Sequence, residues 1–348
     1  MAKKYQPKPS RRGHCRIGVL AAWAVLTLLS CMSGEGAKGG LRGPGASFSL
    51  ASWNVQTFFD GETDGCEYND FKGAKSAWNR EKYRDRLTRL CEALGILNAD
   101  VVALEELENE GVVQDITNEL TGRLARDKLY PYVCFAKKPG SAIGCAVLSR
   151  FPITGVTVHQ TDWRERVDPI APDMRPVMEV VIAPGKGLPP VRLFVNHWKS
   201  KSGGEAGAAF WQSRQEGVLA RRIALAQGDG VVACGDFNRT IGEFTLGDDR
   251  RVELRGDFGP PVMCEAGWLM PGVIERDGGS YFYQNAWETI DHVFTAGAAA
   301  LQSFSAPRDG PWARETDSGV IPYRYVMTSG KGYSDHLPVY AVVTLSRE

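Results

Sequence analysis

The sequence predicts a layered α/β sandwich with a mixed sheet order. Segments that alternate between apolar and polar residues stand beside continuous apolar runs. The first pattern is typical of half-buried strands and the second of fully buried ones. Few segments between them have helical spacing. Residues 48–346 contain no internal repeat and no strong linker, so we predict one domain there, long enough to bury a substantial core.

The individual elements follow from residue spacing along the chain. Residues 80–97 place Tyr83, Leu87 and Leu90 three or four positions apart, as on the apolar face of a helix. The predicted helices are residues 80–97, 111–126 and 210–226. The predicted strands are residues 48–55, 100–104, 132–135, 143–149, 177–182, 191–196, 230–234, 289–295 and 339–345.

Residues 1–30 predict a lipoprotein signal peptide. Six cations precede an apolar run over residues 17–29, which is too short to span a bilayer as a permanent helix. The run ends in Ser30-Cys31 after two leucines, which resembles a bacterial lipobox with a lipid on Cys31. A plain signal peptide or an uncleaved anchor is the alternative. We expect a flexible Gly-rich tether over 31–47 and an exported protein held at the membrane through that lipid, in the periplasm or at the cell surface.

The charge of the remaining chain excludes a strong general attraction to nucleic acid. The sequence has 41 basic and 41 acidic residues, and removal of the six cations of the signal leaves 35 basic residues and a net charge of −6. Any bound polyanion must therefore be held by a local basic patch or through bound metal.

Six cysteines remain once Cys15 and Cys31 are set aside, an even number that is compatible with disulfides outside the cytoplasm. Cys134 and Cys145 lie on two predicted strands around a turn at 139–140. A symmetric register would place them opposite each other at bridging distance, and two buried free thiols are the alternative. A structural zinc site is not expected, because there is no CxxC pair and there are only five histidines.

Polar residues recur where predicted strands end. They lie in the segments Trp53-Asn54-Val55, Glu105-Glu106, Asn196-His197-Trp198-Lys199, Gly235-Asp236-Phe237-Asn238, Asp291-His292 and Ser334-Asp335-His336. Side chains at such ends converge on one edge of a sheet, the usual place for a site. Each segment alone is explained by a turn or a buried histidine. Together, carboxamides, carboxylates and histidines are what metal-assisted phosphate hydrolysis requires.

The ordered set WN, EE, NH with KSK, GDFN, DH and SDH resembles the endonuclease/exonuclease/phosphatase superfamily, the fold of DNase I and of the exonuclease III type repair enzymes. The resemblance covers about residues 48–346, and GDFN followed by SDH is a highly specific combination. Residues 78–83 and 196–201 resemble the branch of bacterial extracellular nucleases. The resemblance implies a four-layered α/β/β/α sandwich, DNase I-like, with the site at one edge of its two sheets.

The resemblance also implies a metal site. Glu106 would bind the ion, with Asn54 beside it and Asp335 completing the site. Few carboxylates and several remaining waters suit Mg²⁺ or Mn²⁺. The ion would polarise a phosphate oxygen and stabilise the charge on the leaving alkoxide.

Further matched residues have implied roles in catalysis. His336, oriented by Asp291, would activate the attacking water, with Asp236 as the rival base. His197 and Asn238 would hold the non-bridging phosphate oxygens and stabilise the transition state.

Three basic residues are expected to contact the substrate. Arg175 matches the family's phosphate-contacting arginine, and a solvent-facing arginine is the alternative. Lys199 and Lys201 follow His197 at alternating positions, which predicts a positive patch on one side of the segment. Gln56 stands where the repair-enzyme branch often has an acid, so specificity for abasic sites is not supported.

These observations predict a metal-dependent phosphodiesterase, a nuclease that acts on DNA or RNA and needs no obligate protein partner. A lipid or inositol-phosphate phosphoesterase, similar to a sphingomyelinase, is the alternative within the class, and a membrane anchor would favour it. A catalytically inactive surface protein that binds through the same fold is the alternative from another class. The complete set of catalytic-type residues argues against that last alternative.

Overall fold

The computed structural model describes residues 46–73, 76–161, 174–201, 204–226, 228–256 and 261–346. The expected signal peptide, the lipid site Cys31 and most of the expected tether lie outside these ranges. Within them, no helix has both the length and the apolar character needed to cross a membrane.

Two of the helices begin where the sequence supplies a capping side chain. In the described ranges the helices are α1 (Arg80–Leu97), α2 (Glu110–Thr121), α3 (Glu205–Ala224) and α4 (Val273–Asp277). The side chains of Asn79 and Asn109 accept hydrogen bonds from the backbone amides of Lys82 and Val112, which satisfies free donors in the first turns of α1 and α2. Asn98 ends α1 in the left-handed conformation.

Most of the strands form two large mixed sheets. They are β1 (Ala46–Phe58), β2 (Val101–Leu107), β3 (Tyr132–Ala136), β4 (Gly144–Ser149), β5 (Ile153–His159), β6 (Val177–Ile182), β7 (Val191–His197), β8 (Gly230–Asp236), β9 (Thr245–Leu246), β10 (Arg251–Leu254), β11 (Val262–Ala266), β12 (Tyr281–Tyr283), β13 (Ala286–Glu288), β14 (Asp291–Gly297), β15 (Ala299–Ser305), β16 (Ala313–Thr316), β17 (Gly319–Pro322) and β18 (Val339–Leu345). The first sheet has the order β15-β18-β1-β2-β4-β3, and the second β5-β6-β7-β8-β14-β11-β10-β9. The pairs β12-β13 and β16-β17 form separate hairpins.

The two large sheets pack face to face between helices. Strands β1 and β2 of the first sheet contact β8 of the second, and every residue of β8 is buried. Helix α2 lies on β3 with α1 beside it, and α3 lies on β6, β10 and β11. These layers confirm the expected α/β/β/α sandwich. Continuous apolar runs form its central strands because both faces of those strands are covered.

The sheet pairing brings the ends of several strands to one edge of the sandwich. Strands β1 and β2 run parallel, as do β7 and β8, so the ends of each pair lie side by side. Strand β14 runs antiparallel to β8 and starts where β8 stops, which pairs Asp291 with Asp236. His197 is the parallel neighbour of Asp236. The chain enters β18 beside the end of β1, and this places Asp335 and His336 at the same edge.

Of the two alternatives for Cys134 and Cys145, the disulfide is wrong and the pair of buried free thiols is confirmed, because the hairpin has a different register. Cys134 pairs across the strands with Val147, and Cys145 pairs with Ala136. The two cysteines are therefore diagonal neighbours, and Cα atoms at that offset lie roughly 7–8 Å apart, too far for a bridge without backbone movement. Five cysteines of the described residues are free and buried, namely Cys91, Cys134, Cys145, Cys234 and Cys264.

Candidate active site

Asn54 joins the two sheets at the end of β1. Its Nδ2 donates to Glu106 Oε1 at 3.2 Å and to Asp236 Oδ2 at 3.0 Å, while its Oδ1 accepts from the amide of Gln56 at 3.0 Å. The NH₂ group of the Asn54 side chain, rather than its oxygen, thus faces the carboxylates and orients them. A direct metal ligand at Asn54 requires the carboxamide to turn, so that expected role stays a prediction.

The strand ends beside Asn54 are bulged and hold unusual backbone conformations. Gln56, Thr57 and Glu106 have φ angles of 55°, 45° and 69°, and Asn238 has 49°. The β1–β2 register shifts at this point, and the amide of Thr57 donates to Glu106 Oε2. Non-glycine residues with positive φ persist only where surrounding contacts enforce them, and they cluster at functional sites.

Arg86 of α1 supplies those contacts beneath the bulge. Its Nη1 donates to Thr57 O at 3.1 Å, and its Nη2 donates to Val55 O at 2.7 Å and to the carbonyl of Gln56. The guanidinium is 1% exposed and lies 3.9 Å from the ring centre of Tyr325. Burial lowers the pKa of Arg86 to about 9. A charged group this deep is stabilised here by three successive carbonyls, and it fixes the bulge that carries the Glu106 contact.

Arg86→Lys is therefore expected to loosen the bulge, because one ammonium cannot replace a planar fork on three carbonyls. We expect the free energy of unfolding to fall by about 1–3 kcal/mol, the cost of leaving buried acceptors unpaired. The Mg²⁺ concentration needed for half-maximal activity should rise as well, because the bulge carries the contact to Glu106. Arg89→Lys is the matched control, since Arg89 lies on the same helix and donates instead to Gly330 O. Denaturant unfolding and metal titration of both variants check this, and equal effects would contradict it.

His336 and Asp291 form a buried pair that neighbouring side chains hold in place. His336 Nδ1 lies 2.9 Å from Asp291 Oδ2, which also accepts from Ser280 Oγ at 2.6 Å. Two buried indoles donate to the backbone of the pair, Trp53 to His336 O at 2.9 Å and Trp268 to Asp291 O at 2.7 Å. Both residues of the pair are thus fixed by side chain and backbone.

The other ring nitrogen of His336 faces two carboxylates. Its Nε2 lies 4.0 Å from Asp236 Oδ2 and 4.0 Å from Asp335 Oδ1. Burial alone would lower the pKa of His336, but the charge and hydrogen bond of Asp291, with the charge of Asp236, raise it well above its ordinary value. Burial, together with the charge of Asp291, also raises the pKa of Asp236. Asp236 and His336 therefore form an electrostatically coupled pair.

His197 lies between the carboxylates of both sheets. Its Nε2 is 3.6 Å from Glu106 Oε1 and 3.7 Å from Asp236 Oδ2. Burial, assisted by the charges of Arg175 and His336, lowers the pKa of His197 well below its ordinary value. The imidazole is therefore neutral at pH 7 and can offer one N–H to an oxygen at the site.

Asn238 and Arg175 converge on one backbone carbonyl beside the site. Asn238 Nδ2 donates to Trp198 O at 3.3 Å, and Arg175 Nη1 donates to the same oxygen at 3.1 Å. The amide of Asn238 donates to Asp236 Oδ1 at 2.8 Å. Gly235 lets β7 and β8 approach closely just before this turn, because a Cβ at that position would lie 1.9 Å from Asn196 O.

Lys199 and Lys201 do not continue strand β7, so the alternation used to pair them does not apply. The strand ends at His197, and the next residues turn onto α3, where Gln215 accepts from the amide of Lys199 at 2.8 Å. Lys201 Nζ forms an ion pair with Glu243 at 2.9 Å. The positive patch is therefore partly neutralised, and its contact with substrate stays a prediction.

Several supporting residues escaped the sequence analysis. Arg86, Trp268 and Ser280 bind the backbone bulge or the Asp291 side of the site, and Ser334 Oγ donates to Asn54 O at 2.6 Å. Ser334 stood inside a recognised motif. The other three lie far along the chain from the residues they hold, so local spacing carries no signal for them.

The site residues fit a small hard cation. Asp236, Asp291 and His336 each offer a ligand atom within 4.8 Å of the others, all buried. Asn54 and His197 each lie near both Glu106 and Asp236, which brings a third carboxylate to the same edge. Oxygen-rich donors with one imidazole suit Mg²⁺ or Mn²⁺. A second group in the described chain, Asp64, Glu67 and Glu108, lies in and beside the loop after β1.

Comparison with known proteins agrees with the fold. The sequence model of the Endonuclease/Exonuclease/phosphatase family matches residues 51–336. A humanized TDP2 from D. rerio with 14 mutations shares 16% identity at a TM-score of 0.54, over 85% of this chain and 98% of that one. An endonuclease/exonuclease/phosphatase family protein from Bacteroides thetaiotaomicron shares 13% identity at a TM-score of 0.52, over 88% and 100%. Identities this low show a shared fold. The comparison with curated proteins gave no match.

D. rerio TDP2 has also been solved in complex with a single-strand DNA product. That structure shares 16% identity with this chain at a TM-score of 0.52, and the alignment covers 85% of this chain and 98% of that one.

Proposed function

The chain belongs to the Endonuclease/Exonuclease/phosphatase family, and from its site we propose that it is a divalent-metal-dependent nuclease. Members of the family are typically hydrolases of phosphoester bonds and depend on divalent metals. The observation that carries the proposal is the meeting of the His336–Asp291 pair with Asp236 and Glu106 at one edge of two sheets. Carboxylates gathered this closely at one buried edge suit a divalent metal, and the metal in turn suits a phosphate.

The proton acceptor for water is Asp236 in this proposal. His336 holds its proton at neutral pH because Asp291 and Asp236 raise its pKa, whereas Asp236 accepts protons more readily than an ordinary aspartate. Asp236 would therefore take the proton from the attacking water, and the charged His336 would bind a phosphate oxygen. This reverses the order of the two candidate bases expected from sequence.

Neutral donors would position the phosphate. His197 offers an N–H, and Asn238 offers an amide, so both can bind non-bridging oxygens without the cost of a buried charge. Glu106 and Asp335 would hold the cation, with Asn54 orienting Glu106. When bound, Mg²⁺ or Mn²⁺ neutralises charge that develops on the leaving oxygen.

Nucleic acid is the proposed substrate, supported by the complex of D. rerio TDP2 with single-strand DNA product. We also propose that the chain is exported and tethered by a lipid on Cys31, on the strength of its N-terminal sequence. We further propose that the activity needs no obligate protein partner.

A substrate panel tests the proposed function. Purified residues 48–348 would be incubated with plasmid DNA, RNA, sphingomyelin and inositol phosphates, each with and without EDTA. Cleavage of DNA or RNA that EDTA abolishes is the expected result. Metal-dependent hydrolysis of sphingomyelin or inositol phosphates alone would replace the nuclease with a lipid or inositol phosphoesterase, and no hydrolysis of any substrate would favour an inactive binding protein.

The double variant Lys199→Ala/Lys201→Ala is expected to bind nucleic acid more weakly. Each lysine that contacts a phosphate releases about one counterion, so the slope of log affinity against log salt should fall by up to about two. The double variant Lys128→Ala/Lys186→Ala is the control, since both lysines are exposed near the opposite ends of the strands. Salt-dependent binding curves check this. Identical slopes for the two double variants would remove the patch from substrate binding.

A further inference from the structure

The β12–β13 hairpin is attached directly to the catalytic pair. The backbone of Tyr281 forms a bridge with that of His336, and the amide of Leu337 donates to Ser280 O at 2.7 Å. Ser280, which precedes the hairpin, also donates to Asp291. The hairpin therefore holds a fixed position relative to both His336 and Asp291.

One face of this hairpin carries two tyrosines that lead outward from the site. The Tyr281 ring centre lies 4.7 Å from the ring of His336. The Tyr283 ring centre lies 6.2 Å beyond that of Tyr281, with the two planes inclined by 20°. His336 is buried, Tyr281 is partly exposed and Tyr283 is 50% exposed. The three rings thus follow one another from the buried His336 to the half-exposed Tyr283.

The opposite face of the hairpin shows that Tyr283 is presented outward by a rigid support. Phe282 packs on Trp287 across the strands at 5.1 Å between ring centres, and Arg308 lies 3.9 Å from the ring centre of Trp287. Gln284 and Asn285 form the two-residue turn with φ angles of 47° and 62°, as a tight hairpin requires. Tyr283 thus occupies the outward strand position that a polar residue ordinarily fills.

We propose that Tyr283, backed by Tyr281, is a stacking platform for an unpaired nucleobase next to the scissile phosphate. A flat aromatic ring binds any base through its π face, but that face is free only in a single strand or at a frayed end. Arg324, whose side chain is 62% exposed, lies 4.0 Å from Asp335 on the same side of the site and supplies a cation for the adjoining backbone. The inference rests on the proposed function and adds a preference for nucleic acid that has an unpaired base beside the scissile phosphate.

Binding measured without cleavage tests this platform. Full-length protein in EDTA would be titrated into a labelled single-stranded oligothymidylate and followed by fluorescence anisotropy. Tyr283→Ala is expected to raise the dissociation constant about tenfold, while Tyr283→Phe stays within about twofold of the parent because its ring remains. Leu225→Ala is the control, since Leu225 is 67% exposed just beyond the far end of α3. An oligonucleotide of abasic residues should bind the parent and Tyr283→Ala alike.

The outcomes separate this platform from the proposed function. Equal affinity of the parent and Tyr283→Ala for oligothymidylate would overturn the platform, even where the parent cleaves DNA in Mg²⁺. An equal loss on the abasic strand would also overturn it, because the tyrosine would then act on the backbone rather than on bases. A parent that binds through Tyr283 but cleaves no nucleic acid in Mg²⁺ would retain the platform and end the nuclease proposal.

Discussion

Replacing His336 with alanine is expected to lower turnover by about a hundredfold or more, the scale of losing a hydrogen-bond donor that stabilises charge at the reaction centre. The imidazole contacts Asp291 through Nδ1 and faces Asp236 and Asp335 through Nε2. No other side chain in the described site can take its place. The fold should persist, because Asp291 keeps the hydrogen bond from Ser280. Steady-state turnover on DNA, with circular dichroism as a check on folding, measures the effect.

His159→Ala is the matched control for that variant. His159 is also a buried histidine paired with a carboxylate, at 2.6 Å from Glu179, and it lies on β5 at the edge of the second sheet. Glu179 keeps Arg192 as a partner when His159 is removed. We expect a loss of stability with turnover close to the parent. Turnover of His336→Ala within a few fold of the parent would take His336 out of the mechanism.

Glu106→Gln is expected to raise the Mg²⁺ concentration needed for half-maximal activity by about tenfold or more, because a charged oxygen ligand becomes neutral. The amide is nearly isosteric, so Thr57 can still donate to the remaining oxygen. Activity followed across a Mg²⁺ titration measures this shift. The shift should appear without a loss of stability.

The neighbouring Glu105→Gln is a sharp control for this change. Glu105 is fully buried, and burial together with the charge of Asp291 raises its pKa well above its ordinary value, which favours the neutral carboxyl group that an amide resembles. Its Oε1 accepts from Ser52 rather than facing the site. The metal titration of Glu105→Gln should match that of the parent. A shift in Glu105→Gln without one in Glu106→Gln would mean that the motif is misaligned by one residue.

Much of the fold and the site was predictable from sequence because the central strands are buried on both faces. Such strands appear as continuous apolar runs, and residues 177–182 and 339–345 have the predicted bounds. Several strands run further than predicted, since β8 continues to Asp236 and β7 to His197. A polar residue that ends a buried strand interrupts the apolar pattern, so Glu106, His197 and Asp236 fell just outside the predicted strands.

The features that escaped prediction depend on register and on distant contacts. The hairpin of Cys134 and Cys145 turns one residue later than its Pro-Gly centre suggests, which moves each cross-strand partner by two positions. Arginine is a residue type that is ordinarily solvated, yet Arg86 is buried because the bulge of β1 offers three carbonyls to it. The short hairpin of Tyr281 and Tyr283 has too few residues to show a period.

Restoration of activity by metal tests the central claim most directly. Plasmid DNA would be incubated with the purified protein, first as prepared, then after EDTA, and then after Mg²⁺ is added in excess of the EDTA. We expect cleavage, its loss and its return, with His336→Ala about a hundredfold or more slower at every Mg²⁺ concentration. Cleavage that persists in EDTA, or that His336→Ala supports at the parent rate, would contradict metal-dependent hydrolysis at this site.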